Sequence, residues 1–147
     1  MPRFQQVAAD LHGRLFRISG GRLIRRWFGA PVMVIETVGR RSGKTRRTPV
    51  IYMPDGDRFI VIAANAGSNR TPAWWLNLRD AGWGVAVFGS RRERVVPRQT
   101  EGVEQAELWR RFAAGFPALD RYRTFTERQI PLVVLEPAAE RGYPPGD

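Results

Sequence analysis

The sequence predicts a mainly β fold in which an antiparallel barrel, closed or nearly closed, is flanked by helices. From residue 32 onward, six short segments rich in β-branched and aromatic residues are separated by turn-forming residues. Two of these turns are short enough to require antiparallel neighbours, and so many short strands in one small domain favour a barrel. The chain has 147 residues, which suits one domain with a core of its own. The predicted strands span residues 32–38, 48–53, 58–64, 84–88, 93–99 and 132–136.

The segment before the strands carries apolar side chains at helical spacing over residues 3–18, which predicts an amphipathic helix. Residues 22–28 follow with a cationic and aromatic patch that either packs on the domain or lies on a membrane surface. We therefore expect an N-terminal unit over residues 1–28, a barrel domain over residues 29–137 and a flexible tail over residues 138–147.

Two hairpin turns join the predicted strands. Residues 54–57, Pro-Asp-Gly-Asp, lie between the second and third strands, and residues 89–90, Gly-Ser, lie between the fourth and fifth. Glycine beside a small polar residue is typical of tight β-turns, because glycine adopts a positive φ at low cost. Both turns therefore predict antiparallel hairpins.

Three further helices are predicted among the strands. A Thr-Pro pair at residues 71–72 supplies a cap and a first-turn proline for a helix over residues 73–79. Thr100 opens a second helix, and residues 119–125 form a short third one. The second helix is expected to direct Leu108, Trp109 and Phe112 towards the core.

The composition argues against several kinds of chemistry. The chain has no cysteine and a single histidine, His12, so disulfides, thiolate ligands and a histidine metal cluster are not expected. The net charge is +10, which suits nucleic acid, anionic lipid or an acidic small molecule as a partner. The N-terminus lacks the apolar core of a signal peptide, and no apolar run approaches the ~20 residues of a membrane span. We expect a cytoplasmic protein, to which residues 1–28 could add peripheral contact with the inner face of the membrane.

Residues 39–47, GRRSGKTRR, concentrate positive charge around a glycine-containing turn. The Gly-Lys-Thr ending suggests a nucleotide-binding P-loop, but three residues instead of four separate the glycines, and a strand pattern follows where a P-loop needs a helix. The stretch is better interpreted as a cationic loop between two strands, in which backbone N–H groups and the Ser42 hydroxyl accompany the charges. It predicts a phosphate or carboxylate ligand, and the structural alternative is a solvated hairpin whose arginines keep the surface soluble. The cations are Arg40, Arg41, Lys44, Arg46 and Arg47.

Two further stretches are candidates for ligand contact. Residues 63–72 leave a strand through small side chains and end at a helix N-terminus, which permits close approach of a flat ligand. In the helix that follows, Trp74 and Trp75 are predicted to point to different faces, so that one serves the core and the other needs another partner. Asn77 lies on a face similar to that of Trp74, where its amide could bond a heterocycle. A tight connection and an ordinary core helix are the structural alternatives.

Residues for acid–base chemistry are scarce. With no cysteine and one histidine on an amphipathic helix, no pair of nucleophile and base is apparent. Proton transfer would come from Tyr52, Tyr122, a carboxylate or the ligand itself. This scarcity favours either an enzyme whose cofactor carries the reaction or a protein without catalysis.

Two stretches, "TVGRRSGKTRRTPVIYMPDGDRFIVIAANAGSNRTPAWWLNL" and "IPLVVLEP", resemble the deazaflavin-dependent nitroreductase family, which includes quinone reductases. The resemblance covers residues 14–137. It implies a split β-barrel related to flavin-binding oxidoreductases, and coenzyme F420, an 8-hydroxy-5-deazaflavin, as the cofactor. It also implies hydride transfer from the reduced deazaflavin to a planar acceptor such as a quinone.

The family resemblance also implies the positions that hold the cofactor, which carries a phosphate and a tail of γ-linked glutamates. The phosphate and the start of the tail would be held by Arg40, Arg41, Ser42, Gly43 and Arg46. The ring would lie along Arg47, Thr48, Pro49, Val50 and Ile51, with Ile62, Ala63, Ala64 and Asn65 at its other edge, and Ala73, Trp74, Trp75, Leu76 and Asn77 would close the site.

The sequence departs from the family pattern at three positions. Ala64, Phe116 and Leu119 stand where nitroreducing members carry hydroxyl groups, and Tyr122 is kept. Tyr122 or solvent is therefore the expected source of the proton, and reduction of nitroaromatic compounds is expected to be weak or absent. Three alternatives stay open: a flavin (FMN or FAD) on the same barrel, a nucleic-acid-binding basic module, and a cofactor carrier without catalysis. The expected partner is a small quinone-like acceptor, and the expected state is a monomer or homodimer.

Overall fold

The computed structural model describes residues 26–27 and 30–138, which contain seven strands, three α-helices and one 3₁₀ turn. The strands are β1 (Arg26–Trp27), β2 (Ala30–Val38), β3 (Thr45–Asp55), β4 (Arg58–Ile62), β5 (Gly84–Phe88), β6 (Arg91–Gln99) and β7 (Leu132–Pro137). The helices are α1 (Ala73–Ala81), α2 (Gly102–Gly115) and α3 (Ala118–Thr124), and the 3₁₀ turn is Asn65–Gly67.

Six of the strands close into a barrel. They follow one another in the order β2-β3-β4-β7-β6-β5, and β5 pairs back onto β2 through Val34 opposite Val87 and Ile35 opposite Ala86. Every pairing is antiparallel. The predicted antiparallel barrel with flanking helices is therefore confirmed, and the extra strand β1 pairs with the start of β2.

Both predicted hairpins are present. Asp55 pairs with Arg58 across the turn between β3 and β4, and Phe88 pairs with Arg91 across the turn between β5 and β6. Each turn has glycine as its first residue, and Gly56 and Gly89 have φ values of 63° and 60°. These two-residue turns need a positive φ there, which explains why glycine occupies both positions.

The inner core fills the barrel with inward-facing side chains, including Met33, Ile35, Val61 and Leu135. Helix α1 lies across one end of the barrel and adds Trp74, Trp75 and Leu78 to this core. The prediction that one tryptophan needs a partner outside the core is wrong, because a helix that plugs a barrel meets core on both sides of its axis. Trp74 is 8% exposed and Trp75 is 3% exposed.

A second core lies outside the barrel, between its wall and the helices α2 and α3. It joins strand residues such as Ile60 and Val134 to the predicted inward face of α2, which comprises Leu108, Trp109 and Phe112. The indole nitrogen of Trp109 donates a hydrogen bond to Asp120 Oδ1 at 2.9 Å, which ties α2 to α3. The predicted orientation of α2 is confirmed.

The predicted helix caps are wrong. Pro72 occupies the N-cap position of α1 and Glu101 that of α2, and neither cap has a side-chain hydrogen bond. Thr100 is held by β7 instead, because its hydroxyl and its amide both donate to the Leu132 carbonyl at 2.9 Å. Sequence spacing cannot distinguish a capping threonine from one that pairs with a distant strand.

Thr37 carries a buried hydroxyl without a hydrogen-bond partner in the described part of the chain. The residue is 3% exposed on β2. A buried unsatisfied hydroxyl costs about 1–3 kcal/mol, and valine has a similar shape without the hydroxyl. We expect Thr37→Val to raise the free energy of unfolding by about 1 kcal/mol in urea denaturation. Thr100→Val should lower it, because that hydroxyl is bonded, and equal destabilisation by both changes would contradict the prediction.

The predicted N-terminal helix over residues 3–18 and nearly all of the tail over residues 138–147 lie outside the described residues. Of the predicted basic patch, Arg26–Trp27 is described, and it forms β1. Within residues 26–27 and 30–138, no helix is long and apolar enough to cross a membrane.

Candidate functional site

The cationic loop connects β2 to β3 and is shorter than predicted. It spans residues 39–44 and is closed by hydrogen bonds from Gly39 N to Lys44 O and from Gly43 N to Gly39 O, both 2.8 Å long. Arg46 and Arg47 belong to β3, so their side chains leave opposite faces of the strand. The two arginines therefore serve different surfaces, which the sequence did not indicate.

Ser42 folds back over Gly39 and makes the loop compact. Its Oγ accepts from Lys44 N at 3.2 Å and from an Arg46 guanidinium nitrogen at 3.5 Å. A Cβ at position 39 would lie 2.7 Å from Ser42 Oγ and 3.1 Å from Lys44 O. Glycine at position 39 therefore leaves room for Ser42 to fold back, and the turn presents Arg41 and Lys44 on its exposed side.

Arg40 is directed away from the other loop cations. Its backbone amide and its guanidinium both donate to Asn77 Oδ1, at 3.2 and 3.0 Å. Asn77 is 5% exposed on α1. Its oxygen thus anchors the cationic loop to the helix that plugs the barrel, and is engaged by Arg40 instead of being free for a heterocycle.

Arg41 and Lys44 of the loop and Arg46 at the start of β3 have no carboxylate partner among the described residues. Arg41 and Lys44 form no ion pair there, and Arg46 bonds the Ser42 hydroxyl alone. Three uncompensated cations within six residues make this surface strongly positive, and anion binding there stays a prediction. This surface fits a ligand with a phosphate and several carboxylates.

Arg47 is paired with a carboxylate that the sequence analysis missed. Glu36, on the outer face of β2, lies 3.6 Å from Arg47 and accepts two hydrogen bonds from Arg92, at 2.5 and 3.1 Å. Burial alone raises the pKa of Glu36, but the hydrogen bond and charge of Arg92 and the charge of Arg47 outweigh it, so the net pKa is below its usual range. The sequence feature that could have indicated this pair is Glu36 itself, a charged residue within a largely apolar strand. Arg47 is therefore partly neutralised.

An apolar surface lies beside the cationic loop on the outside of the barrel. Ile51 of β3 and Ile62 of β4 are the chain neighbours of the paired, inward-facing residues Tyr52 and Val61, so they face outwards together. Ile51, Ile62, Ala64 and Tyr122 all join the outer core. The structure thus brings together four of the predicted ring-contacting or catalytic residues. We call the outward-facing residues Pro49, Ile51, Ile62 and Ala64 the β3–β4 surface.

Other predicted contact residues point elsewhere. Val50, Ala63, Trp74 and Trp75 belong to the inner core, so they could meet an external ligand only through their backbone. Asn65 has a φ of 47° and donates from its amide nitrogen to Arg70 O at 3.2 Å, which shapes the turn after β4. Thr48 and Leu76 are half-buried, and Ala73 is exposed at the start of α1.

Tyr122 stands at the border of the β3–β4 surface. Its ring packs edge-to-face against Phe116 with the ring centroids 5.9 Å apart. Burial raises the pKa of Tyr122, and the charge of Arg121 opposes that effect in part. The phenol is therefore protonated at neutral pH. Its hydroxyl has no hydrogen-bond partner among the described residues, which leaves it able to donate to a ligand.

Tyr52, the alternative tyrosine, faces the inner core, on the side of β3 opposite Ile51. Its ring contacts Phe59 and Phe88, with centroid distances of 5.7 and 5.2 Å. The three rings line a cavity of about 1010 Å³ whose rim includes Arg91 and Glu93. Tyr122, which packs with Ile51 and Ile62 in the outer core, is therefore the tyrosine of the candidate site.

The closed antiparallel barrel with flanking helices is a split β-barrel, a fold found among cofactor-binding oxidoreductases. Two comparisons with solved structures agree with this fold. An F420H2-dependent reductase has a TM-score of 0.65 at 25% identity, covering 72% of this chain and 94% of that one. A heme storage protein from Vibrio cholerae has a TM-score of 0.58 at 11% identity, covering 74% and 82%, and shares the fold alone.

Sequence comparisons identify the family. A model of the F420H(2)-dependent quinone reductase family matches residues 9–137. An F420H(2)-dependent quinone reductase of Mycobacterium tuberculosis is 31% identical over 134 residues, covering 85% of this chain and 87% of the relative. This chain belongs to the F420H(2)-dependent quinone reductase family and is an oxidoreductase that uses coenzyme F420. The predicted cofactor is confirmed, whereas weak reduction of nitroaromatic compounds stays a prediction.

Proposed function

We propose that this protein reduces a planar, quinone-like acceptor on the β3–β4 surface while its cationic loop holds the anionic part of F420. The observation that carries the proposal is the adjacency of the two surfaces: β3 runs from the loop directly into Pro49 and Ile51. A ligand with a flat ring at one end and a charged tail at the other matches this arrangement. Bound F420 supplies the hydride.

The residues of the chain have separate tasks in this proposal. Arg41, Ser42 and Arg46 bind the phosphate and the first carboxylates of the tail. The β3–β4 surface supports the ring and excludes water from one side of it. Tyr122 donates a proton from its hydroxyl to the reduced acceptor.

The expected free energies indicate that F420 binding needs both the cationic loop and the β3–β4 surface. Three charge-assisted hydrogen bonds contribute about 5–9 kcal/mol in total. Association costs on the order of 4–15 kcal/mol in lost freedom. Burial of the ring on the β3–β4 surface must therefore supply the rest of the binding free energy. We expect a low-micromolar Kd for F420, which corresponds to a binding free energy of about −8 kcal/mol.

Fluorescence titration with oxidised F420 tests the proposal, with FMN titrated in parallel at low and moderate salt. We expect saturable binding of F420 and none of FMN, because FMN has a shorter anionic tail to engage the loop. Equal affinity for both ligands would favour the flavin alternative. Steeply salt-dependent binding of single-stranded DNA without binding of F420 would favour the nucleic-acid alternative.

Replacing Tyr122 tests the proton donor. We expect Tyr122→Phe to lower kcat for quinone reduction by about 100-fold, the lower range for general acid catalysis, and to leave the Kd for F420 unchanged. Steady-state kinetics with menadione as acceptor measures kcat. Tyr52→Phe is the matched control, because that ring packs on the inner core, on the side of β3 opposite the β3–β4 surface, and the change should leave kcat unchanged. Wild-type kcat in Tyr122→Phe would mean that solvent supplies the proton.

A further inference from the structure

Arg128 makes a set of contacts that the proposed chemistry does not use. The residue lies between α3 and β7 and is half-buried. Its guanidinium donates to the carbonyls of Ala63 at 3.0 Å, Ala64 at 2.8 Å and Ser68 at 2.8 Å. Three carbonyls of one segment are thus gathered on a single planar cation.

The Arg128 guanidinium is bound by carbonyl oxygens alone. No carboxylate of the described residues forms an ion pair with it. Burial lowers the pKa of Arg128, yet an arginine side chain keeps its charge in proteins. Charge-assisted hydrogen bonds are stronger than neutral ones, and the planar fork fixes their directions. The contacts therefore constrain the segment that accepts them.

That segment, residues 63–68, is also held by a hydrogen bond from Ala63 N to Pro131 O at 2.9 Å and by two hydrogen bonds within its own turn. β4 ends at Ile62, and the next residues form the 3₁₀ turn, with φ values of 47° at Asn65 and 79° at Gly67. A Cβ on Gly67 would lie 3.0 Å from Phe125 and from the Tyr122 carbonyl. The turn is therefore pressed against the end of α3, and its conformation depends on contacts from outside the segment.

We propose that Arg128 is a positioning residue of the F420 site. It clamps the end of β4, so that Ile62 and Ala64 stay in place on the β3–β4 surface. Its backbone amide also donates to the Thr126 hydroxyl at 3.2 Å, and that hydroxyl donates to Asn69 Oδ1 at 2.7 Å, which joins this edge to the chain that carries Tyr122. The role at the ring rests on the proposed function, whereas the clamp is a property of the protein alone.

Two variants and a control test the proposal. Arg128→Met removes the charge and the donors, Arg128→Lys keeps the charge without the fork, and Arg110→Met removes an exposed arginine of α2 that pairs with Glu107. Hydrogen exchange of the amides of residues 63–70 measures the clamp, and fluorescence titration measures the Kd for F420. We expect about tenfold faster local exchange and about tenfold weaker binding in Arg128→Met, smaller changes of both in Arg128→Lys, and none in Arg110→Met.

The outcomes separate the two proposals. Faster local exchange with a wild-type Kd would overturn the positioning role and leave Arg128 a purely structural residue, and wild-type exchange would overturn the clamp itself. If Arg128→Met does not fold, Arg128→Lys decides by the same two readouts. A wild-type protein that binds no F420 would refute the proposed function, and hydrogen exchange would then still test the clamp.

Discussion

Replacing Arg41 and Arg46 together by glutamine is expected to weaken F420 binding by at least about 100-fold. Each cation offers a charge-assisted hydrogen bond worth about 1.5–3 kcal/mol, and about 1.4 kcal/mol corresponds to a factor of ten in Kd. Neither arginine pairs with a carboxylate in the described part of the chain, so their loss should not disturb the fold. Fluorescence titration of the double variant and the wild type measures the change.

The ligand itself provides the control for the Arg41 and Arg46 double variant. A deazaflavin that lacks the phosphate and the glutamate tail should bind the double variant and the wild type equally, because it leaves the cationic loop without a partner. Arg110→Gln, on the exposed side of α2, should bind F420 like the wild type. Equal loss of affinity for both ligands would mean that the arginines maintain the site indirectly, and no loss for either would place the tail elsewhere.

Features set by local chemistry were predictable from the sequence. Each hairpin turn needs a glycine with positive φ, and Gly56 and Gly89 in the sequence predict the two turns. The face of α2 follows from helical spacing, and Leu108 and Phe112 are buried as expected. Because these features depend on neighbours in the chain, short patterns contain the information that fixes them.

Features set by distant contacts were not predictable. The burial of Trp74 and Trp75 depends on α1 lying across the barrel, and the hydrogen bond of the Thr100 hydroxyl depends on β7. Glu36 meets Arg92 across 56 positions of sequence, and Arg128 meets Ala64 across 64. No periodicity or motif within a short window describes such pairs.

The candidate site combines both kinds of information. Its charge was visible in residues 39–47, and the family resemblance placed the ring along β3 and the end of β4. The sequence did not show which cations already have partners within the protein. Arg40 bonds Asn77 and Arg47 pairs with Glu36, whereas Arg41 and Arg46 lack carboxylate partners among the described residues. The arginines without a partner inside the protein are the ones available to bind a ligand.

Helix α1 connects the stability of the barrel to the cationic loop. Trp75 is 3% exposed in the inner core, and Leu78 of the same helix packs so closely that a Cβ on Gly84 would lie 2.7 Å from its Cδ1. Asn77, between them, anchors Arg40. A substitution that weakens the packing of α1 in the inner core should therefore also weaken the anchoring of the cationic loop at Arg40.

We accordingly expect Trp75→Ala to lower the free energy of unfolding by about 3–5 kcal/mol, because removing a buried indole leaves a cavity that a closed barrel cannot collapse to fill. Urea denaturation monitored by circular dichroism measures the loss. Val103→Ala is the control: Val103 is 88% exposed, and its truncation should change stability by less than about 0.5 kcal/mol. A loss below about 1 kcal/mol in Trp75→Ala would show that α1 is not an integral part of the core. The anchoring of Arg40 would then have to be independent of barrel packing.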